Sequence, residues 1–374
     1  MTSAARIFRQ LGCAAAVLVL TLNLGTIAQA QSLSSVTRTN RGVVELLTSG
    51  DPGSIAMAQD LASVVDDGAT RRVLPVVGYG AIEGLTDLKV LHGIDMAVVQ
   101  TDVLDYAKRH NTPAAIQTVT YIARLYNEEF HVLARPDVAR LEDLANKKVE
   151  FAGGARITGP ALFGLLKINV ESMFDDHAVA LDKLISGEVA AMAYVAAKPT
   201  SLFAGLDGAK GLHFLSVPMT PAVAQVYVPA QLTNADYPHL ITAVAPVNTI
   251  AVGSVLLVAN LQVATERYRN VVNFIDAFFT LFPRLTEGHH DPKWREVNLA
   301  AELPGWTRFP PADAWLKRNV VAKAAPVNVA DLRKIFTEFL DQRSRLTGGQ
   351  PLSQQQKDQL FDQFVQWQQS GQTH

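Results

Sequence analysis

The stretch that decides the fold is Leu74–Leu104, LPVVGYGAIEGLTDLKVLHGIDMAVVQTDVL. A first apolar run ends at Gly78-Tyr79-Gly80, a segment with helical spacing follows, and a second apolar run ends at Gln100-Thr101-Asp102. This pattern predicts two buried strands joined by a helix, each strand stopping at glycine or polar residues. Because ligands of open α/β sheets bind outside the carboxyl ends of the strands, the segment predicts half of a ligand site.

The same strand-helix pattern occurs on both sides of Arg135-Pro136-Asp137. Before this break it predicts strands at 43–48, 74–77 and 95–99 with helices at 55–66, 82–91 and 103–108. After it, the pattern predicts strands at 148–151 and 189–195 with helices at 141–144 and 160–167. Apolar segments at 116–126, 130–134 and 250–259 read as strands that cross between the two series. The expected fold class is α/β, with two lobes of mixed, mostly parallel sheet joined by hinge strands.

Composition excludes several classes of protein. The 374 residues are 48% hydrophobic and 18% charged, which is typical of a globular chain, and the formal net charge is −2. A chain without basic character has no general affinity for the phosphates of nucleic acid, so no nucleic-acid partner is expected.

The N-terminus has the features of an export signal. Arg6 and Arg9 precede an apolar run from Cys13 to Leu24, and Ala28-Gln29-Ala30 fits the small-residue cleavage rule. The sequence therefore predicts cleavage after Ala30 and a periplasmic protein whose mature part has no cysteine, since Cys13 is the only one in the chain. The apolar run is too short to span a membrane, so the mature protein is not expected to be membrane-spanning.

These patterns divide the chain into four expected parts. Residues 1–30 form the signal peptide, residues 31–133 and 242–320 form lobe 1, residues 134–241 form lobe 2, and residues 321–374 form a C-terminal extension with amphipathic helices at 331–340 and 354–368.

Three glycine-containing turns precede predicted helices, at Gly50–Ser54, Gly78–Gly80 and Gly153–Ala155. The free N–H groups of a helix start can hold a carboxylate or phosphate, or the turns can simply cap their helices. None of the three has the spacing of a phosphate-binding P-loop or a dinucleotide fingerprint, so no cofactor is expected.

Polar residues near the predicted strand ends have two interpretations each. Gln100-Thr101-Asp102 can bind a small polar ligand or cap the following helix, and Arg156 and Lys198 can pair with a carboxylate or remain solvated. His289-His290-Asp291 lacks the helical spacing of a metal site. Because no Gly-x-Ser-x-Gly or partnered Ser-x-x-Lys motif is present, no catalytic residue, metal or enzymatic activity is expected.

Taken in order, several segments resemble the TAXI family, the solute-binding proteins of tripartite ATP-independent periplasmic (TRAP) transporters. The resemblance covers about residues 43–282, and its segments are Thr48–Ser54, Gly78–Leu85, Ile94–Asp102, Leu184–Tyr194, Val228-Pro229-Ala230 and Asp236-Tyr237-Pro238. It departs from the family pattern at Ile55-Ala56, where an aromatic ligand contact is missing, and at Arg156, which replaces a small polar residue in the second-lobe loop.

The resemblance implies a two-lobed periplasmic binding protein, type II-like, that delivers a small organic anion or an amino acid to TRAP membrane permease subunits. The ligand-binding residues that it implies, together with the residues singled out above, are Gly53, Ser54, Gly80, Ala81, Gln100, Thr101, Asp102, Arg156, Thr158, Tyr194 and Lys198. A ligand-sensing or interaction protein on the same scaffold, signalling to a membrane partner, is the alternative function.

Overall fold

The computed structural model describes residues 42–78, 81–110, 119–206, 211–323 and 353–361, and the single positions 333 and 337. The chain divides into two compact units, residues 1–313 and 314–374. In the second unit, a helical segment lies at residues 354–361, and Arg333 Nη1 lies 2.8 Å from Asp358 Oδ1. The remainder of both predicted C-terminal helices, and the predicted signal peptide, lie outside the described residues.

The described strands number ten. They are β1 (Val43–Ser49), β2 (Arg72–Gly78), β3 (Ile94–Gln100), β4 (Val119–Ala134), β5 (Lys148–Gly153), β6 (Glu171–Met173), β7 (Ala191–Ala196), β8 (His213–Phe214), β9 (Val228–Leu232) and β10 (Val247–Ala259).

The described helices alternate with these strands. They are α1 (Pro52–Val65), α2 (Ala81–Val90), α3 (Thr101–Arg109), α4 (Ala155–Leu166), α5 (His177–Ser186), α6 (Ser201–Ala204), α7 (Pro221–Ala224), α8 (Glu266–Leu285) and α9 (Pro310–Lys323), with 3₁₀ turns at Leu141–Leu144 and Pro292–Glu296. None of the helices within the described residues is both long and apolar enough to span a membrane.

All ten strands belong to one mixed sheet in the order β2-β1-β3-β10-β4-β7-β5-β6, with β8 paired to β4 and β9 to β10. Strands β1, β2 and β3 are parallel on one flank, and β5, β6 and β7 are parallel on the other. The long strands β4 and β10 pair antiparallel in the centre. We call the β1–β3 flank with α1–α3 lobe 1, and the β5–β7 flank with α4 and α5 lobe 2.

Each lobe has its own apolar core. In lobe 1, residues such as Leu47, Leu88, Val99 and Leu104 pack between the sheet and its helices. Lobe 2 has a core on each face of its sheet: Phe130, Phe151 and Phe163 on one, and Leu184, Tyr194, Phe214 and Tyr237 on the other. The expected boundaries at residues 133/134 and 241/242 stay a prediction, because β4 runs through both lobes without a break.

The α/β fold class expected from the sequence is confirmed. Two details differ. Strand β4 continues through Asn127-Glu128-Glu129, where the sequence suggested a gap, because β10 pairs with it there and both glutamate side chains have buried hydrogen-bond partners. Helix α4 begins at Ala155 instead of near Pro160, which lies inside the helix. Its first turn therefore lies directly beside the glycine turn Gly153-Gly154.

Candidate functional site

A cavity of about 400 Å³ lies where the carboxyl ends of the strands of both lobes meet. Strands β1, β2 and β3 of lobe 1 and β5 and β7 of lobe 2 all end at it, and β4 and β10 form its base. The lining residues are Ser49, Gly50, Asp51, Ser54, Val77, Gly78, Val98, Val99, Gln100, Glu128, Gly153, Gly154, Arg156, Asp176, His177, Ala178, Tyr194, Val195 and Ser254.

On the lobe 1 side, Asp51 fixes the start of α1. Its Oδ1 accepts a 2.9 Å hydrogen bond from the backbone N–H of Ser54, and its Oδ2 accepts from the hydroxyl of Ser49. An aspartate at this position satisfies a backbone donor that the helix leaves free and is favoured by the positive end of the helix dipole. The positive end of α1 is thus already compensated by a carboxylate of the protein itself.

Gln100 ends β3 and stands at the N-cap of α3. Its Nε2 donates a 2.6 Å hydrogen bond to Oε2 of Glu128, whereas its Oε1 is buried and has no hydrogen-bond partner. Leaving a buried acceptor unpaired costs about 1–3 kcal/mol. A bound molecule that donates a hydrogen bond to this oxygen would recover that free energy.

Glu128 is fully enclosed at the base of the cavity. Burial is the main reason that the pKa of its carboxyl rises from 4.5 to about 8. The nearby Asp51 carboxylate contributes to this rise, and the hydrogen bond from Gln100 opposes it. The group is therefore mostly protonated and uncharged at neutral pH. The other carboxyl groups that line the cavity belong to Asp51 and Asp176.

On the lobe 2 side, two helices begin at the cavity. The N-cap residues Gly154 of α4 and Asp176 of α5 make no side-chain hydrogen bond to their helix starts. Arg156, in the first turn of α4, lines the cavity and donates a 2.7 Å hydrogen bond from Nη2 to the carbonyl of Phe174. The start of α4 and the Arg156 guanidinium together favour a negatively charged group at this side, whereas the start of α5 already has the Asp176 carboxylate at its N-cap.

Tyr194, on β7, forms part of the cavity wall on the lobe 2 side. Burial raises the pKa of its hydroxyl, and the carboxyl groups of Asp51 and Glu128 act in the same direction when they are ionised, so the side chain is uncharged. Gly153 has a left-handed backbone (φ 55°), and a Cβ there would lie 2.9 Å from Tyr194 Cε2. Glycine at this turn therefore lets the Tyr194 ring approach the backbone closely, and the centroids of the Tyr194 and His177 rings are 6.0 Å apart.

The structure places four of the implied site residues at the cavity: Ser54, Gln100, Arg156 and Tyr194. Gly53 and Thr101 are helix-start residues that do not line it, Ala81 begins α2, and Gly80 lies outside the described residues. Asp102 and Thr158 are buried and bind each other behind the cavity at 2.6 Å.

Lys198 lies on the other side of β4. Neighbouring residues of a strand point to opposite faces, so Glu128 faces the cavity and Glu129 faces away from it. Glu129 accepts a 3.1 Å hydrogen bond from the Lys198 backbone, and Lys198 Nζ contacts Asp236 Oδ2 at 3.0 Å. Glu129 and Lys198 line a separate, larger groove of about 1130 Å³.

The cavity lining includes three residues that were not predicted from the sequence as site residues: Glu128, Asp176 and His177. Glu128 had a signal, because an acidic pair in the middle of apolar strand sequence must find partners when buried. His177 and Asp176 have no such signal, since a helix start with aspartate is common in any α/β protein. Within the described part of the chain, no three His, Cys, Asp or Glu side chains are grouped so that they could hold a metal ion.

The fold has distant likenesses among solved structures. They include the periplasmic binding protein BugD (13% identity, 75% of this chain and 94% of that chain, TM-score 0.47). MatC from Rhodopseudomonas palustris with bound malate (15%, 75% and 97%, 0.44) and the periplasmic aliphatic sulphonate binding protein SsuA from Escherichia coli (13%, 74% and 78%, 0.37) are also similar. These likenesses do not assign a ligand to this chain.

Similarity in sequence gives the family directly. No curated protein matches the sequence significantly. The profile of the NMT1-like family, however, matches residues 59–300, which is well over half of the chain and includes lobe 2, lobe 1 from the middle of α1 onwards, and most of the cavity lining. The chain belongs to the NMT1-like family.

Proposed function

We propose that this chain is an exported solute-binding protein that captures a small carboxylate-bearing solute, either a dicarboxylate or an amino acid, in the cavity between its lobes. The observation that carries the proposal is the pairing of two chemistries across about 400 Å³: an unpaired buried acceptor, Gln100 Oε1, on lobe 1, and the start of α4 with Arg156 on lobe 2. A solute with a carboxylate and a hydrogen-bond donor would satisfy both.

Capture is favoured over conversion by the hydrogen bonds of the lining hydroxyls. Ser49 donates to the capping carboxylate of Asp51, and Ser254 donates to the carbonyl of Tyr126 at 2.9 Å. A serine nucleophile needs a general base within hydrogen-bond reach. The Ser254 hydroxyl is bonded to a backbone carbonyl, and the carboxylate beside Ser49 already caps the start of α1. Their role in the proposal is to hold the cavity wall in place.

The proposed ligand contacts are Ser54, Gln100, Arg156 and Tyr194. Gln100 and Ser54 would bind the polar end of the solute, and Arg156 with the first turn of α4 would bind its carboxylate. Gly53, Gly80, Ala81 and Thr101 are proposed to shape the helix starts beside these contacts.

The proposal extends to the transport system. The resemblance to the TAXI family supports delivery of the solute to a TRAP membrane permease, and the export signal before Gln31 supports a periplasmic location. Mass spectrometry of the protein recovered from the periplasm tests the location: a chain that starts at Gln31 is expected, and a retained N-terminus would contradict cleavage. Loss of solute uptake when the permease genes are deleted would support delivery.

Binding is tested on purified residues 31–374, unfolded and refolded to remove co-purified solute. Thermal shift and calorimetry against a panel of dicarboxylates and amino acids should find at least one compound with saturable binding. Arg156→Ala and Gln100→Ala should each weaken that binding at least tenfold, because each removes a polar side chain that would bond to the solute. Arg140→Ala, at an arginine whose side chain is 74% exposed, is the matched control. Absence of binding to every compound would overturn the proposal.

A further inference from the structure

The two lobes touch through a hydrogen bond behind the cavity. Thr158 Oγ1 on α4 of lobe 2 donates to Asp102 Oδ2 on α3 of lobe 1 at 2.6 Å, and both side chains are buried. Tyr227 OH lies 3.5 Å from the same carboxylate oxygen. Hydrogen bonds to a charged acceptor are roughly twice as strong as those between neutral groups.

The first turn of α4 presents three residues to lobe 1. Gly154, Ile157 and Thr158 are spaced i, i+3 and i+4, so they lie on one face of the helix. Ile157 packs against the lobe 1 core that contains Val103. A Cβ on Gly154 would lie 2.2 Å from Gln100 Nε2, so the backbone there rests directly on the Gln100 amide. Apolar, polar and close-packing contacts therefore converge on one turn.

Burial of the Asp102 carboxyl in this contact is energetically unfavourable. Its Oδ1 is buried without a hydrogen-bond partner, and burial raises the pKa of its carboxyl to about 6. A buried carboxylate that is only partly satisfied opposes the arrangement that buries it. Separation of the lobes would return both oxygens to water, so the favourable contacts of the α4 turn are offset by the desolvation of Asp102. Such offsetting contributions allow two conformations of similar free energy.

The contact shares an element with the cavity. Gln100 and Asp102 both belong to the start of α3, and Gly154 and Arg156 both belong to the start of α4. A group held between Gln100 and Arg156 therefore also holds the two helix starts at the separation that the Asp102–Thr158 bond requires.

We infer that Asp102 and Thr158 form an interlobe latch that stabilises the closed conformation, and that Asp102 is a positioning residue and does not contact the solute. The inference rests on the proposed function for its purpose, since closure serves capture. The latch itself is a property of the two lobes and can be measured without any ligand.

The experiment measures the distance between the lobes. Because Cys13 is the only cysteine and precedes Gln31, residues 31–374 with Val90→Cys and Val179→Cys can be labelled at two exposed sites, one on α2 and one on α5. Pulsed dipolar spectroscopy then gives the distance distribution without added solute. Thr158→Val should raise the population of longer distances at least threefold, and Thr158→Ser, which keeps the hydroxyl, should restore the wild-type distribution.

Two further variants make the result decisive. Thr86→Val removes a threonine hydroxyl that bonds within the exposed part of α2, and it should leave the distribution unchanged. Thr158→Ala, which removes the same hydroxyl with a smaller side chain, should open the lobes even where Thr158→Val fails to fold. Unchanged distances in the folded latch variants would overturn the latch. Distances that respond in a protein that binds no panel compound would reject the proposed function and leave the latch standing.

Discussion

Gln100 and Glu128 are joined by a 2.6 Å hydrogen bond from Nε2 to Oε2 that ties the start of α3 in lobe 1 to the strand β4 that runs through both lobes. The bond also orients the amide, leaving Gln100 Oε1 as the unpaired acceptor of the cavity. One partner is an uncharged amide and the other is an acid whose pKa burial raises to about 8. The pair therefore links the geometry of the site to pH.

The first prediction concerns the pH dependence of stability. The folded pKa of Glu128, about 8, is above its ordinary value of 4.5, so the folded state keeps a proton that the unfolded state loses. Its contribution to stability is therefore full below about pH 4.5 and is lost as pH rises towards 8. The slope from this one group is at most about 1.4 kcal/mol per pH unit. Glu128→Gln should remove it from the free energy of unfolding, measured in urea between pH 5.5 and 7.5.

The control for this prediction is Glu142→Gln, which alters an exposed glutamate of the Leu141–Leu144 turn. This variant should keep the wild-type dependence of the unfolding free energy on pH. Parallel pH profiles for wild type and Glu128→Gln would show that Glu128 is already ionised in the folded protein at neutral pH.

The second prediction concerns Gly154. An alanine Cβ there would lie 2.2 Å and 2.4 Å from Nε2 and Oε1 of Gln100, so the two side chains cannot keep their present positions. We expect Gly154→Ala to increase the distance between the lobes, in the same spin-labelled background, at least as much as Thr158→Val does. The free energy of unfolding should fall by about 1 kcal/mol, at the low end of the range for overpacking, because separation of the lobes relieves the overlap but also withdraws Ile157 from the lobe 1 core. An unchanged distance distribution would be evidence that Gln100 moves aside instead.

The third prediction compares two glycines of α4. A Cβ on Gly159 would lie 2.0 Å from Cδ1 of the buried Phe151 ring, whereas a Cβ on Gly164 would meet nothing within 4 Å. Gly159→Ala should therefore lower the free energy of unfolding by about 1–3 kcal/mol through overpacking. Gly164→Ala should raise it by about 0.4–1 kcal/mol, because alanine restricts the unfolded chain. Urea denaturation measures both, and equal effects of the same sign would contradict the packing seen around Phe151.

The fourth prediction concerns the buried ion pair beside the larger groove. Lys293 Nζ lies 2.7 Å from Glu129 Oε1, and both side chains are only 6% exposed. Lys293→Met should destabilise the protein by about 3–5 kcal/mol, because it leaves a buried carboxylate without its cation. Adding Glu129→Gln should recover much of this loss.

The matched control removes an exposed pair. Arg140 and Asp143 lie 3.7 Å apart with the arginine side chain 74% exposed, so Arg140→Met should cost less than about 1 kcal/mol. If Lys293→Met costs no more than Arg140→Met in urea denaturation, the Glu129 carboxyl takes up a proton instead of remaining charged.

Local sequence determined the elements and the general place of the site. The apolar run and polar stop at Met96–Asp102 predict a strand followed by a helix, and Asp51-Pro52-Gly53-Ser54 predicts a helix start, because spacing and capping depend on neighbours in the chain. Such patterns single out Gln100 and Arg156, and the resemblance to the TAXI family adds Ser54 and Tyr194.

Only the tertiary structure decided what each of these residues contacts. The sequence treats Gln100, Thr101 and Asp102 as equal candidates, yet Gln100 faces the cavity, Thr101 begins the helix, and Asp102 binds Thr158, 56 residues further along the chain. Lys198, singled out as a cation for a carboxylate, instead pairs with Asp236 on the far side of β4. The physical reason is that strand and helix periodicity fix a side chain's direction relative to its own backbone, whereas its partner depends on which distant elements the fold packs against that face.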